Sequence, residues 1–328
     1  FLLFGIGILY GNYGLLNIAA VAASVPAPIP YLDATALALL IAALLMKAGS
    51  FPVHMWKPDV FQEAPANVTA MLLASSLVAL YLVMRICFLF FGMAGLNSVF
   101  GWIVAILGCA SIFLGISMAL LQKNLKRLLG YVAVAEIGYV MLGAGAALIA
   151  MPNMNGFAMD ALLGSIFHTL NEGLEMGLLF LLLGSIIYST GKNDLGEVQG
   201  LAHKSPALAM FFLAAALAVS GMPPFGSFSS KLLIYESVYL LNPLLTVIAL
   251  AGSIMLLAAL TRIFSTIFLG IPYKGEARPV PKSMLAAMAA ILLAIILFGL
   301  FPQLAIENLV KPAASVLADP SAYLEAIL

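Results

Sequence analysis

The sequence predicts an all-α protein that crosses a membrane many times, and three observations carry that prediction. Of the 328 residues, 64% are hydrophobic and only 9% are charged. Mean hydropathy is +1.13. Long apolar runs follow one another along nearly the whole chain. A water-soluble domain has no interior large enough to hide that much apolar surface. The runs are also continuous, whereas the strands of a membrane barrel would alternate apolar and polar residues over short stretches.

Crossing about 30 Å of hydrocarbon takes roughly 20 helical residues, and by that measure about nine spans are predicted. They cover residues 2–23, 34–56, 68–91, 100–121, 128–150, 159–188, 206–239, 243–269 and 284–301. The tail beyond Phe301 is mixed in character and reads as lying along an interface. Phe1 already stands inside an apolar run, without the basic stretch of a signal peptide, so the expectation is a chain that starts partway through a longer protein.

Composition removes several function classes. Lys plus Arg and Asp plus Glu balance at 14 each, so there is no basic excess to recruit nucleic acid. Cys87 and Cys109 stand alone in apolar runs, which does not fit an iron–sulfur, zinc or disulfide framework. No phosphate-cradling glycine loop and no nucleophile elbow is present. The expectation is a chain with no cofactor and no redox or hydrolytic site of its own.

If the spans alternate, the segments after the second, fourth, sixth and eighth share one side. That side carries Lys57, Lys123, Lys126, Arg127, Lys192, Lys204, Lys274, Arg278 and Lys282, and the other side only Lys311. The positive-inside rule makes the first side cytoplasmic and places the C-terminus outside, in a membrane expected to be the prokaryotic cytoplasmic one.

Two spans are interrupted, one at Lys47-Ala48-Gly49-Ser50-Phe51-Pro52 and one at Gly221-Met222-Pro223-Pro224-Phe225-Gly226. Proline removes an amide donor and glycine loosens the backbone, so both helices are expected to break. Each break has a lysine beside it, Lys47 or Lys231. Broken helices at matching places in two oppositely oriented halves are the mark of inverted repeats around a mid-membrane site.

Charge at bilayer depth costs several kcal/mol and is kept for a partner or a task. Lys47, Glu136, His168, Glu172, Glu175 and Lys231 all fall inside predicted spans. His168, Glu172 and Glu175 recur at i, i+4 and i+7, so they share one helix face that can line a wet path, or else hydrogen-bond neighbouring helices. Burial favours the neutral form of a lysine or carboxylate, and an approaching opposite charge restores the ion; a moving partner can therefore switch such groups between loading and release. His54, with Trp56 and Lys57, reads as an interfacial anchor or a guard of the cytoplasmic mouth. Glu236 reads as a counter-ion of Lys231 or an outer-surface residue. Arg85 and Arg262 sit near span ends, where they can snorkel.

These motifs resemble a family. Lys47 to Asp59 with Glu63-Ala64-Pro65 looks like the signature of the antiporter-like subunits shared by respiratory complex I, Mrp cation/proton antiporters and energy-converting hydrogenases. Leu125 to Tyr131 with Ile137-Gly138-Tyr139 is similar to a second block, and His168 to Glu172 and Ser220 to Phe225 with Ser230-Lys231 to a third and fourth. Tyr188 to Gly191 leading into Gly200-Leu201 is nearest the hydrogenase, formate hydrogenlyase and Mrp branches. The resemblance implies two inverted repeats, with residues 1–92 expected as the remainder of the first, 100–270 as the second, and a last span and tail at 271–328. It also implies a polar axis on which Lys47 serves the first half-channel, His168 links, and Lys231 faces outward. Partners would be neighbouring antiporter-like subunits and a redox module, and the cargo H⁺ or Na⁺. This chain departs from the pattern where Leu77 replaces an ionisable group and where Glu172 and Met176 replace a histidine and a lysine. Three readings stay open: an ion-translocating subunit of a redox-driven complex, a non-conducting structural subunit, and an Mrp-type antiporter subunit.

Overall fold

A computed structural model describes residues 1–327 except Met93, Pro152, Asn155, Lys274 and Glu276, and leaves out the side chains of Ala66 and Asn67. Among the described residues the chain forms fifteen α-helices and no β-strand. They are α1 (Leu2–Tyr13), α2 (Ile18–Ser24), α3 (Tyr31–Ala48), α4 (Trp56–Glu63), α5 (Ala66–Ile86), α6 (Asn97–Leu121), α7 (Leu125–Ile149) and α8 (Phe157–Thr190). The rest are α9 (Pro206–Val219), α10 (Gly226–Leu241), α11 (Pro243–Phe268), α12 (Lys282–Leu300), α13 (Pro302–Ala305), α14 (Lys311–Ala318) and α15 (Pro320–Ile327). Among the described residues seven helices are long and apolar enough to cross a membrane: α3, α5 with its continuation to Phe91, α6, α7, α8, α11 and α12.

Three of the predicted spans are not single helices. The first bends by 55° between α1 and α2, where Asn17 caps the new helix by accepting from the Ala19 amide at 2.8 Å. Its side-chain oxygen meets an amide that has no partner within the helix, which fixes the start there. The second stops at Ala48 and resumes only at Trp56, and the seventh stops at Val219 and resumes at Gly226. Gly49 (φ 80°) and Gly221 (φ 76°) take the left-handed conformation that ends a helix without a Cβ clash.

The bundle is centred on α7, in which every residue from Leu128 to Leu148 is buried. It lies against α6, α8, α10 and α4. The α6 contact is unusually close, because a Cβ at Gly138 would stand 2.6 Å from the Gly108 carbonyl oxygen and one at Gly145 2.7 Å from that of Gly101. Lipid offers no hydrophobic drive between helices, so such small-residue seams gain cohesion from backbone-close packing.

One end of the bundle is laced together by its loops. The Leu195 amide donates to the Lys123 carbonyl at 2.8 Å and the Arg278 amide to that of Ser189 at 2.9 Å. Lys126 Nζ donates to the carbonyls of Gln62 and Ala64 at 3.2 and 3.0 Å, and Arg262 to that of Leu120 at 2.8 Å. At the other end α14 and α15 fold back, with the Arg85 guanidinium 3.7 Å above the Tyr323 ring. The expected interfacial tail is thus a helical segment docked on the bundle. Lys274, counted above with the basic loops, lies outside the described residues.

Candidate functional site

Span interiors supply the charged residues, and the packing around α7 decides which of them meet. Glu136 on α7, His168, Glu172 and Glu175 on α8, and Lys231 on α10 are all buried. Lys231 begins the site because α10 starts after a break. Its side chain turns back toward α9, and Nζ donates to the Val219 carbonyl at 2.8 Å. That carbonyl belongs to the last residue of α9, where helix geometry leaves oxygens without an internal partner and the helix dipole favours a cation.

The same ammonium donates to Glu136 Oε1 at 3.0 Å and stands 4.2 Å from the Tyr139 ring centroid. On the other carboxylate oxygen of Glu136, His168 Nε2 approaches to 3.1 Å. The far nitrogen of that ring, Nδ1, lies 3.0 Å from Ser230 Oγ. One carboxylate therefore bridges a lysine and a histidine in a fully buried cluster. Taking an ion out of water costs several kcal/mol, and these contacts compensate the charges against one another.

From the cluster the polar groups run two ways. Tyr139 OH lies 2.9 Å from Ser253 Oγ, and Tyr235 OH 2.6 Å from the same oxygen. Lys231, Tyr235 and Ser253 share a cavity of about 290 Å³ with Ser220 and Gly221, and it reaches the surface at the exposed Met222 and Ile254. Along α8 in the other direction, Ser227 donates to Glu175 Oε2 at 2.7 Å. Glu172 follows one turn after His168, and neither of its oxygens has a hydrogen-bond partner among the described residues.

The sequence-predicted residues thus divide. Glu136, His168 and Lys231 come together, and Glu172 and Glu175 extend their line. Lys47 does not join them. It is exposed on α3 beside the exposed Met46, while Leu44, Leu45 and Ala48 form the buried face. Glu236 is exposed as well, which fits the second of its two readings, and Glu136 is the carboxylate that contacts Lys231. His54 is buried against Phe51 and Tyr131 rather than lying at an interface.

Lys57 is the main residue that sequence reasoning misplaced. Assigned there to a basic cytoplasmic loop, it is completely buried, and its Nζ donates to the Ala48 carbonyl at 3.0 Å. A usable signal was present, since Lys57 and Phe61 stand at i and i+4 and share the buried face of α4. Tyr139, Ser230, Tyr235 and Ser253 were also missed, because isolated hydroxyls in apolar runs look like ordinary packing residues.

A family model described as NADH:quinone oxidoreductase/Mrp antiporter, TM, matches residues 1–261. The chain belongs to this family. It is 32% identical to NADH-quinone oxidoreductase subunit N of Desulforudis audaxviator over 95% of its own length and 64% of that protein. It is 30% identical to hydrogenase-4 component B of Escherichia coli over 74% of its length and 38% of that protein. Its fold superposes on a chain of the Mrp complex from Dietzia sp. with a TM-score of 0.87 and 26% identity, covering 100% of this chain and 67% of that one. The chain spans less than two thirds of the length of the curated relatives it matches. The family expected from the motifs is the family found, and this antiporter-family chain is an integral, multi-pass membrane protein.

Proposed function

We propose that the chain moves protons across the membrane as one antiporter-like subunit of a larger complex, with Glu136, His168 and Lys231 as its exchanging groups. The observation that carries this reading is the contact of three ionisable side chains, from three helices, with essentially no exposure. Structure alone has little use for such a cluster at bilayer depth, where charge is costly.

The geometry gives each member a task. His168 can take a proton at Nδ1, beside Ser230, and release the one at Nε2 to Glu136, so the ring passes protons between its two sides. Protonated Glu136 no longer holds an ammonium. Lys231 is then free to leave Val219 and Glu136 for the cavity bounded by Tyr235 and Ser253, where it can lose its proton. When Glu136 ionises again, it draws the recharged lysine back.

The drive would come from partner subunits, a redox module and neighbouring antiporter-like subunits. The laced end of the bundle, which carries the basic loops, is proposed to face the cytoplasm, with the C-terminus outside. A non-conducting coupling role is favoured by one feature, the apolar Leu77 and Met176 at positions where the family pattern has ionisable groups.

The test is ion uptake in vesicles holding the assembled complex, with a pH-sensitive dye for protons and a sodium tracer in parallel. Lys231→Ala and Glu136→Gln are each expected to abolish most proton uptake while assembly persists. Full proton uptake in both assembled variants would leave the coupling role, and sodium uptake lost in place of proton uptake would change the cargo.

A further inference from the structure

We infer that Tyr139, Ser253 and Tyr235 form a hydroxyl relay that carries the proton of Lys231 to the mouth of the cavity beside it. This rests on the proton-exchange reading above and adds the route by which that proton leaves. The three residues come from three helices, α7, α11 and α10, and their oxygens stand in a row. Tyr139 OH lies 2.9 Å from Ser253 Oγ, which lies 2.6 Å from Tyr235 OH. The inner end meets the exchanging lysine, whose Nζ stands 4.2 Å from the centroid of the Tyr139 ring. Tyr139 is fully buried, whereas Ser253 and Tyr235 are half-buried on the wall of the cavity of about 290 Å³ that also holds Lys231. The row thus leads from the buried cluster to a space that reaches the surface.

The bonding of Ser253 separates this row from ordinary packing. A serine inside a helix commonly donates to the carbonyl four residues back, as Ser165, Ser185, Ser220 and Ser237 do in this chain at 2.8, 2.9, 2.7 and 2.7 Å. For Ser253 that carbonyl is Ala249, and it accepts from Tyr139 OH instead, at 3.0 Å. Tyr139 reaches it because position 252 is glycine: a Cβ there would stand 2.9 Å from the Tyr139 oxygen and 2.4 Å from Ile112 Cγ2. Ser253 is left with a tyrosine oxygen on either side, and its single proton can face either one. A purely structural link between α7 and α11 is complete with Tyr139 and Ala249, and it leaves the pairing of Ser253 with Tyr235 on a third helix unexplained.

A hydroxyl both donates and accepts, so the row has two settings. In the first, Tyr139 donates to Ser253, Ser253 to Tyr235, and Tyr235 toward the cavity. In the second, Tyr139 donates to Ala249, Ser253 to Tyr139, and Tyr235 to Ser253. Released from Glu136 and Val219, the Lys231 ammonium moves from the face of the Tyr139 ring to its hydroxyl. One N–H bond of the ammonium breaks and an O–H bond forms on Tyr139. The hydroxyl protons of Tyr139, Ser253 and Tyr235 each move one oxygen onward, the last to a water molecule at the cavity mouth. Lys231 is then a neutral amine, each hydroxyl again holds one proton, and Tyr139 turns its new one to Ala249. Rotation of the three O–H bonds restores the first setting.

The test measures proton uptake with a pH-sensitive dye in vesicles holding the assembled complex, in ordinary and in heavy water, for Ser253→Ala, Ser253→Thr, Tyr235→Phe and Lys231→Ala. Ser253→Ala and Tyr235→Phe are expected to lower uptake by about tenfold or more, the scale of losing a positioned proton-transfer group. Both should also raise the solvent isotope effect, because proton transfer then limits turnover, and Ser253→Thr should restore most of the uptake by returning the hydroxyl. Ser237→Ala, which removes a hydroxyl bonded in the ordinary way to Leu233, should leave uptake unchanged. If Lys231→Ala stops uptake while Ser253→Ala and Tyr235→Phe pump normally, the relay is overturned and the main reading stands. If all three pump normally, both fall. Equal losses in Ser253→Ala and Ser253→Thr, with the isotope effect unmoved, make the row a structural link and overturn the relay as well. Should Ser253→Ala not assemble, Tyr235→Phe decides alone, since it removes one oxygen from a half-buried ring, and normal uptake there overturns the relay.

Discussion

At the scale of single residues, Glu136 illustrates how a buried charge is specified by its surroundings. Lys231 Nζ stands 3.0 Å from one of its oxygens and His168 Nε2 3.1 Å from the other, so removing the lysine leaves the carboxylate short of compensation. Lys231→Met is expected to destabilise the protein by about 3–5 kcal/mol, the usual cost of stranding one member of a buried pair. Adding Glu136→Gln in the same chain should recover most of that loss, since two neutral side chains need no counter-charge. Thermal unfolding of the four members of this cycle in detergent checks the prediction, and simple additivity of the two losses would contradict it. The same reasoning shows what was legible. Inside long apolar runs a charged letter stands out, so Glu136, His168, Glu172, Glu175 and Lys231 were found. Which lysine of Lys47 and Lys57 points inward was not legible near a break, because direction there is set by where α4 packs after the interruption. Nearness in sequence offered Glu236 as one partner for Lys231, beside an outer-surface place for it; Glu236 is exposed, and the actual partner of Lys231 lies 95 residues away in sequence.

Helices show a second pattern. The Gly-Pro clusters after Lys47 and at Gly221 foretold both interruptions, because a missing amide and an unconstrained backbone leave a helix no way to continue. The bend between α1 and α2 carried no proline, so an apolar run of adequate length concealed it. Helix-to-helix distance was also hidden: glycines in α6 and α7 are common in membrane helices, and only their mutual register makes a seam. At Gly138 an added methyl would meet backbone atoms, the Gly108 carbonyl at 2.6 Å and the Ile112 amide at 2.8 Å. Gly138→Ala is therefore expected to cost about 1–3 kcal/mol through overpacking, seen as a lower unfolding midpoint. Gly7→Ala on α1, where an added Cβ meets nothing within 4 Å, should leave the midpoint unchanged. Equal shifts at the two positions would show that helix propensity, not the seam, sets the effect.

For the whole molecule the decisive property is its polarity across the membrane. Contacts among the loops at residues 57–64, 122–127, 189–198 and 270–282 gather Lys123, Lys126, Arg127, Lys192, Lys204 and Arg278 at one end. Lys57, by contrast, leaves that set for the interior. Lys311, paired with Glu307 at 2.9 Å, belongs to the docked tail, whose neighbouring residues Ser315 and Asp319 share a cleft with Gly95 and Asn97 from a loop at the opposite end. Retention of cationic loops on the cytoplasmic side predicts that Lys123→Cys and Lys204→Cys react with a membrane-impermeant maleimide only in inside-out vesicles, and Lys311→Cys only in intact cells or right-side-out vesicles. The native thiols do not confuse the measurement, because Cys87 and Cys109 are buried, 3% and 7% exposed. Reversal of all three labels would invert the assigned orientation. Labelling of Lys123→Cys and Lys311→Cys from the same side would instead contradict the fold, since the helices between them would no longer separate two faces.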